Sequence, residues 1–161
     1  MKRFFGAVLA LVMIFALCAC TGDSNANTAV DIASVKAEII SELKMDGTMD
    51  IDASRLLDLY GIEEAWIADS QCFVTMDGVF PDEVIMVRAT DKSAVNQIEE
   101  KLTARLNEVK VQSQSYDPEN YAIAQECKVL THGTVVALFL SPDHQVMEKI
   151  FETTPDIEIA E

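Results

Sequence analysis

The sequence predicts an α+β domain, and three observations support this class. Two neighbouring segments, 66–76 and 84–90, are rich in apolar and β-branched residues in the manner of strands. The segment that follows carries apolar residues at helical spacing: Val95, Ile98, Leu102, Leu106 and Val109. The order strand, strand, helix then returns after a shift of 51 residues. We therefore expect a four-stranded antiparallel sheet built from two such units, with the two main helices on one face.

Two helices are predicted before the first of these units. Apolar residues of the first recur every three to four positions, at Ile32, Val35, Ile39 and Leu43, and Gly47 follows as a stop. The second begins at Asp52, a favourable capping residue, and ends at Gly61, which suits the left-handed position after a helix.

The first unit is a predicted hairpin followed by the long helix. Segment 66–76 has a period of two and predicts a half-buried strand, with one side formed by Trp66, Ala68, Cys72, Val74 and Met76. Asp77 and Gly78 mark the turn to the second strand. Thr90 or Asp91 can cap the long helix.

The second unit begins after a short helical turn near Pro118. We expect strands at 127–130 and 135–140, joined by a turn at His132 and Gly133. Ser141-Pro142-Asp143 then starts the last helix, with proline at an early position where its missing N–H does no harm.

Two of the predicted strands are apolar on both sides. Segments 84–87 and 135–140 carry an apolar residue at every position, so both faces of the sheet must be covered. The two N-terminal helices can cover the second face. In the alternative, Met86, Val135 and Phe139 form an exposed patch that binds a partner.

The N-terminus has the features of an export signal. Lys2 and Arg3 precede an apolar stretch, 4–16, that is too short for a spanning helix, which needs roughly 20 residues. The stretch ends at Leu17-Cys18-Ala19-Cys20, which resembles the lipobox of bacterial lipoproteins. This resemblance implies cleavage before Cys20 and a diacylglycerol on its thiol, and two acyl chains are what stable anchoring requires.

These features divide the chain into four parts. Residues 1–19 form the signal peptide, 20–31 the lipidated cysteine and a flexible tether, 32–152 a single α+β domain, and 153–161 an acidic disordered tail. Removal of Lys2 and Arg3 changes the net charge from −15 to 10 − 27 = −17. Such an acidic protein offers no basic patch for nucleic acid, so we expect no such partner.

From Asp52 onward the chain resembles a known family, and six stretches carry the resemblance. They are Leu59-Tyr60-Gly61-Ile62, Asp82-Glu83-Val84, the helix of 95–106, Tyr116-Asp117-Pro118-Glu119, Lys128-Val129-Leu130-Thr131-His132-Gly133 and Ser141-Pro142-Asp143. The family is an uncharacterised lipoprotein family of Gram-positive anaerobes, domain of unknown function 4358. The resemblance implies one compact α+β domain on a lipid tether and identifies no catalytic or binding residue.

Cys72 and Cys127 are the cysteines outside the signal and anchor region. Export makes a disulfide between them possible, since both fall in or beside predicted strands. The alternative is two buried free thiols, because a buried cysteine behaves as a small apolar residue.

The sequence indicates neither a metal site nor a catalytic site. His132 and His144 have no histidine or cysteine beside them at zinc spacing. Asp46, Asp50 and Asp52 have oxygen ligands suited to calcium, but they do not follow the calcium-loop pattern. No nucleophile elbow or phosphate-binding glycine loop occurs, so we predict no catalytic residue and no cofactor.

Trp66 is the single tryptophan, and two roles are open to it. On its predicted strand it can belong to the core. If instead it is exposed in a groove, it can stack against a sugar or a peptide.

The function expected from these features is binding at the cell surface. We predict a membrane lipoprotein at the extracytoplasmic face that binds another envelope protein and has no enzymatic activity. The alternative is a lipoprotein that binds a small ligand or a cation, which the acidic surface favours. A cell-wall hydrolase is a third reading that rests on location alone.

Overall fold

The computed structural model describes residues 28–76 and 82–159, and its organising element is one antiparallel sheet with helices on both faces. The helices are α1 (Ile32–Glu42), α2 (Leu56–Tyr60), α3 (Lys92–Gln114), α4 (Pro118–Glu126) and α5 (His144–Thr153). The strands are β1 (Thr28–Val30), β2 (Thr48–Asp50), β3 (Ile67–Thr75), β4 (Glu83–Ala89), β5 (Val129–His132), β6 (Val135–Leu140) and β7 (Asp156–Glu158). Short 3₁₀ turns at Ala53–Arg55 and Glu64–Trp66 complete the elements.

The main sheet has five strands in the order β2-β3-β4-β6-β5, one strand more than predicted. The additional strand is β2, which follows Gly47 and pairs antiparallel with the end of β3, Thr48 opposite Thr75. Only three residues form β2, too few for a period of two to be recognised in the sequence. The two hairpins themselves are confirmed, and β6 has the predicted bounds.

One face of the sheet packs against α2, α3 and α4. The apolar stripe of α3, including Ile98 and Leu102, lies against Ile85, Val87 and Leu138 of the central strands. Asp91 caps α3 by accepting hydrogen bonds from two backbone N–H groups in the first turn. This face therefore contains the longest helix and the larger part of the described core.

The opposite face is covered by α1, α5 and β1. Met86, Val135 and Phe139 are fully buried there, and Phe151 of α5 packs edge to face on Phe139. The predicted partner surface at these three residues is therefore wrong, because helices cover it. The other expectation was that both N-terminal helices cover this face. It is confirmed for α1 only, since α2 lies on the opposite face.

The two main helices, α3 and α5, lie on opposite faces, whereas the repeated unit predicted one shared face. The strands do follow the repeat: Val84 and Val135, which it superposes, face one side of the sheet, and Val87 and Leu138 face the other. The helices depart from it because both faces are apolar. The 23 residues of α3 span about 34 Å on one face, so the other face needs a different helix.

The ordered part of the chain extends further at both ends than the sequence analysis assigns. β1 and β7 form a two-stranded antiparallel sheet, with Thr28 opposite Glu158 and Val30 opposite Asp156. Ala29 and Val30 are buried against the second face. Residues 28–31 of the predicted tether and 156–158 of the predicted tail thus belong to the fold. Residues 1–27, with the predicted signal peptide and Cys20, lie outside the described residues.

The helix boundaries agree with several predicted signals and differ at others. Gly61 adopts the left-handed conformation after α2, with φ of 70°. Asp52 precedes the first 3₁₀ turn, but its side chain makes no capping hydrogen bond. The last helix starts at His144, so Pro142 precedes it rather than forming its first turn. None of the helices in the described ranges has the length and apolar character needed to cross a bilayer.

We expect Phe139→Ala to lower the free energy of unfolding by about 3–5 kcal/mol, because it removes a fully buried ring between the sheet and α5. Tyr116→Ala is the matched control, since its ring is 92% exposed and its loss should change stability by less than about 0.5 kcal/mol. Urea unfolding followed by circular dichroism measures both values. Equal effects of the two substitutions would contradict a covered second face.

Candidate functional site

One edge of the main sheet is left partly unpaired where β2 ends and β3 continues. β2 pairs with Phe73–Thr75, and the Ile51 N–H extends this pairing with a hydrogen bond of 2.9 Å to the Cys72 carbonyl. The chain then turns away into Ala53–Arg55. Beyond that point, residues 67–71 of β3 have β4 on one side and no strand from the described residues on the other.

A polar groove of about 460 Å³ lies beside this edge. Lys36 of α1 forms one wall and donates to Asp50 over 2.8 Å. Asp69 of β3 forms another part of the wall and lies 3.7 Å from Arg88. The remaining charged residues of the lining are Asp52 and Glu64. Carboxylates thus outnumber cations in this groove.

A second pocket, of about 340 Å³, lies at the same edge and shares Asp50, Ile51 and Asp52 with the groove. Its apolar walls are Met49, Ile51, Leu59, Tyr60 and Val74. Met49 is 52% exposed and Leu59 is 46% exposed, although both are large apolar residues. We call this second cavity the Met49 pocket.

An ion pair forms the polar part of the Met49 pocket. Arg105 of α3 donates from Nε and Nη2 to the two carboxylate oxygens of Glu83, over 3.0 and 2.9 Å. These hydrogen bonds raise the pKa of the Arg105 guanidinium, so it stays charged. Burial, together with the nearby Glu83 carboxylate, raises the pKa of Tyr60, so its hydroxyl stays protonated. A charged arginine, Arg105, is thus held by its ion pair with Glu83 beneath the apolar opening of the pocket.

The three aspartates considered for calcium do not converge on one point. Asp50 is paired with Lys36, and Asp46 lines a different cavity together with Leu43 and Met45. Within 28–76 and 82–159, no group of three or more histidine, cysteine or acidic side chains is arranged to hold a metal ion.

The two histidines lie in different environments. His132 is exposed, its Nε2 lies 3.4 Å from Oδ1 of Asp156 in β7, and its ring meets the ring of Phe151 edge-on. His144 is buried, and its Nδ1 is 2.9 Å from Glu148 Oε1. The sequence analysis did not identify this contact between His144 and Glu148. The spacing of four residues within a helix was the available signal, since it places both side chains on one helical side.

The His144 cluster also ties α5 to the start of β5. Lys128 Nζ lies 2.9 Å from the second oxygen of Glu148. This hydrogen bond raises the pKa of the Lys128 ammonium. Glu126 at the end of α4 lies 3.7 Å from His144 Nε2. Glu148 is thus satisfied on both oxygens, which indicates a structural role at the joint between α4, β5 and α5.

Cys72 and Cys127 are free, buried thiols, so the possible disulfide is not formed. Cys72 lies on β3, and Cys127 lies two residues before β5. Since β4 and β6 separate those strands, three strand spacings place the residues on the order of 14 Å apart. A disulfide requires Cα atoms within about 7 Å.

Trp66 belongs to the core rather than to a stacking platform. It closes the second 3₁₀ turn, is half-buried, and packs against the cluster that contains α3. Its carbonyl accepts a hydrogen bond of 3.0 Å from the Thr90 N–H. Neither cavity at the sheet edge has Trp66 in its wall.

Comparison with known proteins gives one match. The model of the family described as Domain of unknown function (DUF4358) matches residues 41–141. This range contains the whole Met49 pocket and all of the polar groove except Lys36. No curated protein and no solved structure matches the chain significantly.

Thiol titration tests the assignment of both cysteines. Burial raises the pKa of Cys72 to about 12 and also raises that of Cys127, so the reactive thiolate is scarce at pH 8. We expect residues 21–161 to show no fast-reacting thiol when folded and two thiols in urea without reductant. Because both thiols have a higher pKa in the folded than in the unfolded chain, their contribution to stability is fully present below the unfolded pKa of about 9. This contribution is lost as the pH rises through the pKa values of the folded thiols. Absence of both thiols in urea would reveal a disulfide and contradict the structure.

Proposed function

Because the chain belongs to the family described as Domain of unknown function (DUF4358), which carries no assigned activity, we propose its function from the sequence and the sheet edge. The protein is a lipoprotein of the type found in Gram-positive anaerobes, anchored through Cys20 at the extracytoplasmic face of the cell membrane. Its domain binds another protein of the cell envelope. The observation that carries this proposal is the Met49 pocket, where large apolar side chains remain exposed.

The order of the N-terminal residues supports the anchor. Lys2 and Arg3, the apolar stretch and the lipobox-like Leu17-Cys18-Ala19-Cys20 occur in the order that lipoprotein export requires. β1 begins eight residues after Cys20, a span of at most about 29 Å. The anchor would therefore hold the domain close to the bilayer, where envelope proteins are the available partners.

The composition of the Met49 pocket supports protein binding. Methionine, tyrosine and arginine are enriched in the centres of protein interfaces, and this pocket has Met49, Tyr60 and two arginines in its wall. Arg105 is already paired with Glu83, so a partner would not have to desolvate an isolated charge there. The pocket thus offers an apolar opening to a large side chain, with Arg105 already paired with Glu83 in its wall.

The states of the buried cysteines and of Glu83 favour binding over catalysis. Both buried cysteines are held as protonated thiols, the form that does not act as a nucleophile. Glu83 has both oxygens engaged by Arg105. A cell-wall hydrolase, the third reading of the sequence, gains no support from either group.

A small-ligand or cation-binding lipoprotein is the second candidate, and the polar groove favours it. The groove is large enough for a small solute, and Asp50, Asp52, Glu64 and Asp69 give it an excess of negative charge. Binding of a small cation or solute in equilibrium dialysis, lost in Asp69→Asn, would favour this candidate over protein binding.

Metabolic labelling with a clickable fatty acid tests the anchor. We expect the wild-type chain to incorporate the label and Cys20→Ala to lose it, because the thiol of Cys20 is the acceptor. Cys18→Ala is the matched control and should keep the label. A label that persists in Cys20→Ala, or that depends on Cys18, would show that the acceptor is assigned incorrectly.

Site-specific photo-crosslinking in cells tests the Met49 pocket. A crosslinking residue at Met49 should give a discrete adduct, and Leu59→Lys should reduce it about tenfold by placing a charge in the apolar wall. Leu57→Lys is the matched control, since Leu57 lies on the same helix and is 53% exposed but does not line the pocket. No adduct, or equal loss with both lysines, would exclude this pocket as the contact.

A further inference from the structure

We propose that a basic, extended segment of the protein partner binds by adding a strand to the open edge of β3 at residues 67–71, in line with β2. This inference rests on the proposed function and names the partner's chemistry and its mode of binding. Strand addition supplies main-chain hydrogen bonds for affinity, and side-chain sites along the edge supply specificity.

The hydrogen bonding of β3 shows which backbone groups face this edge. The Thr75 N–H bonds to the Asp82 carbonyl on the β4 side, whereas the Cys72 carbonyl accepts from Ile51 on the β2 side. Since successive residues of an antiparallel strand alternate between its two neighbours, Ser70 faces the same side as Cys72. β2 no longer runs there, so the backbone of Ser70 points to the open edge.

Two features protect this edge when no partner is bound. The pairing with β4 shifts between Ile67 and Asp69, which inserts Ala68 as a bulge. The Asp69 carboxylate accepts a hydrogen bond of 2.8 Å from the Ser70 N–H, so this edge donor is already satisfied. Bulges and charged side chains are common means of preventing unwanted pairing at a sheet edge.

A basic partner can remove this protection, because it competes for the Asp69 carboxylate. A lysine or arginine of an added strand would draw Asp69 away from Ser70 and leave the Ser70 N–H free for a carbonyl of that strand. Asp69 is positioned for this exchange, since its ion pair with Arg88 is long, at 3.7 Å, and its side chain is partly exposed. The edge would thus accept a basic strand and reject a neutral or acidic one.

The charges around the edge favour the same partner. Asp52 and Glu64 line the groove, and neither has a cationic side chain within ion-pair distance among the described residues. The whole chain carries a net charge of −15. A second copy would bring the same carboxylates edge to edge, and like charges placed together are costly. Charge complementarity therefore selects a basic segment of another protein over self-association.

Synthetic peptides can test strand addition with residues 21–161, which include every described residue. The probe is an eight-residue peptide that alternates lysine and valine. One comparison peptide has glutamate in place of lysine, and another is the lysine peptide with every second backbone nitrogen methylated. We expect the lysine peptide to shift the amide resonance of Ser70 and slow its hydrogen exchange. Both comparison peptides should bind at least about tenfold more weakly.

Two variants of Ser70 provide the control on the protein side. Ser70→Pro removes the edge N–H and should abolish binding, while the β4 ladder remains, because this N–H faces away from β4. Ser70→Ala keeps the backbone donor and should bind as wild type does. Thermal unfolding of both variants shows whether the fold is intact, and the methylated peptide tests the same hydrogen bonds without any change to the protein.

The outcomes separate this inference from the proposed function. Equal binding of the methylated peptide, or of the glutamate peptide, would overturn strand addition or the basic character of the partner. A dimer that is lost in Ser70→Pro would show a second copy as the occupant and would also overturn the inference. If the crosslink from Met49 forms but the lysine peptide does not bind, the protein-binding function stands and strand addition is wrong.

Discussion

The fold depends on one constraint, which is that β4 and β6 are apolar on both sides. Val84 and Met86 point to one face of the sheet, whereas Ile85 and Val87 point to the other. Antiparallel sheets commonly leave one face in water, but that arrangement would expose half of these side chains. Each face therefore needs a layer of its own, and the segments before and after the hairpins supply it.

This constraint explains why the ends of the described chain belong to the fold. α3 is long enough to cover one face with the help of α2 and α4. The other face is covered by shorter elements from opposite ends of the sequence, α1 and β1 from one end and α5 from the other. The β1–β7 pair joins these two ends, so the cover of the second face is closed by backbone hydrogen bonds as well as by packing.

The parts of the fold that the sequence predicts are those with a strong local signal. The period of α3, its Asp91 cap and the continuous apolar run of Val135–Leu140 were each recognisable in the sequence. β1, β2 and β7 have three residues each, which is too few to show a period. The face that each helix covers is likewise not a local property, because it depends on which face the other helices leave uncovered.

The candidate site was not predictable for the same reason. Met49, Leu59 and Arg105 come from β2, α2 and α3 and meet only through the order of the strands. In the sequence, Met49 and Leu59 resemble ordinary core positions, and Arg105 resembles a solvent-exposed residue between apolar positions. In the structure, Met49 and Leu59 are exposed, whereas Arg105 is paired with Glu83. A search for catalytic motifs could not identify them, because none of the three carries a motif.

The acidity of the protein has different effects at long and at short range. At physiological ionic strength, charges more than about 8 Å apart are largely screened, so the net charge acts mainly at close approach. At contact, Asp52 and Glu64, which have no ion-pair partner within residues 28–76 and 82–159, and the weakly paired Asp69 act directly on whatever approaches β3. Carboxylates that disfavour a second copy at this edge would therefore select a basic segment there, beside the Met49 pocket.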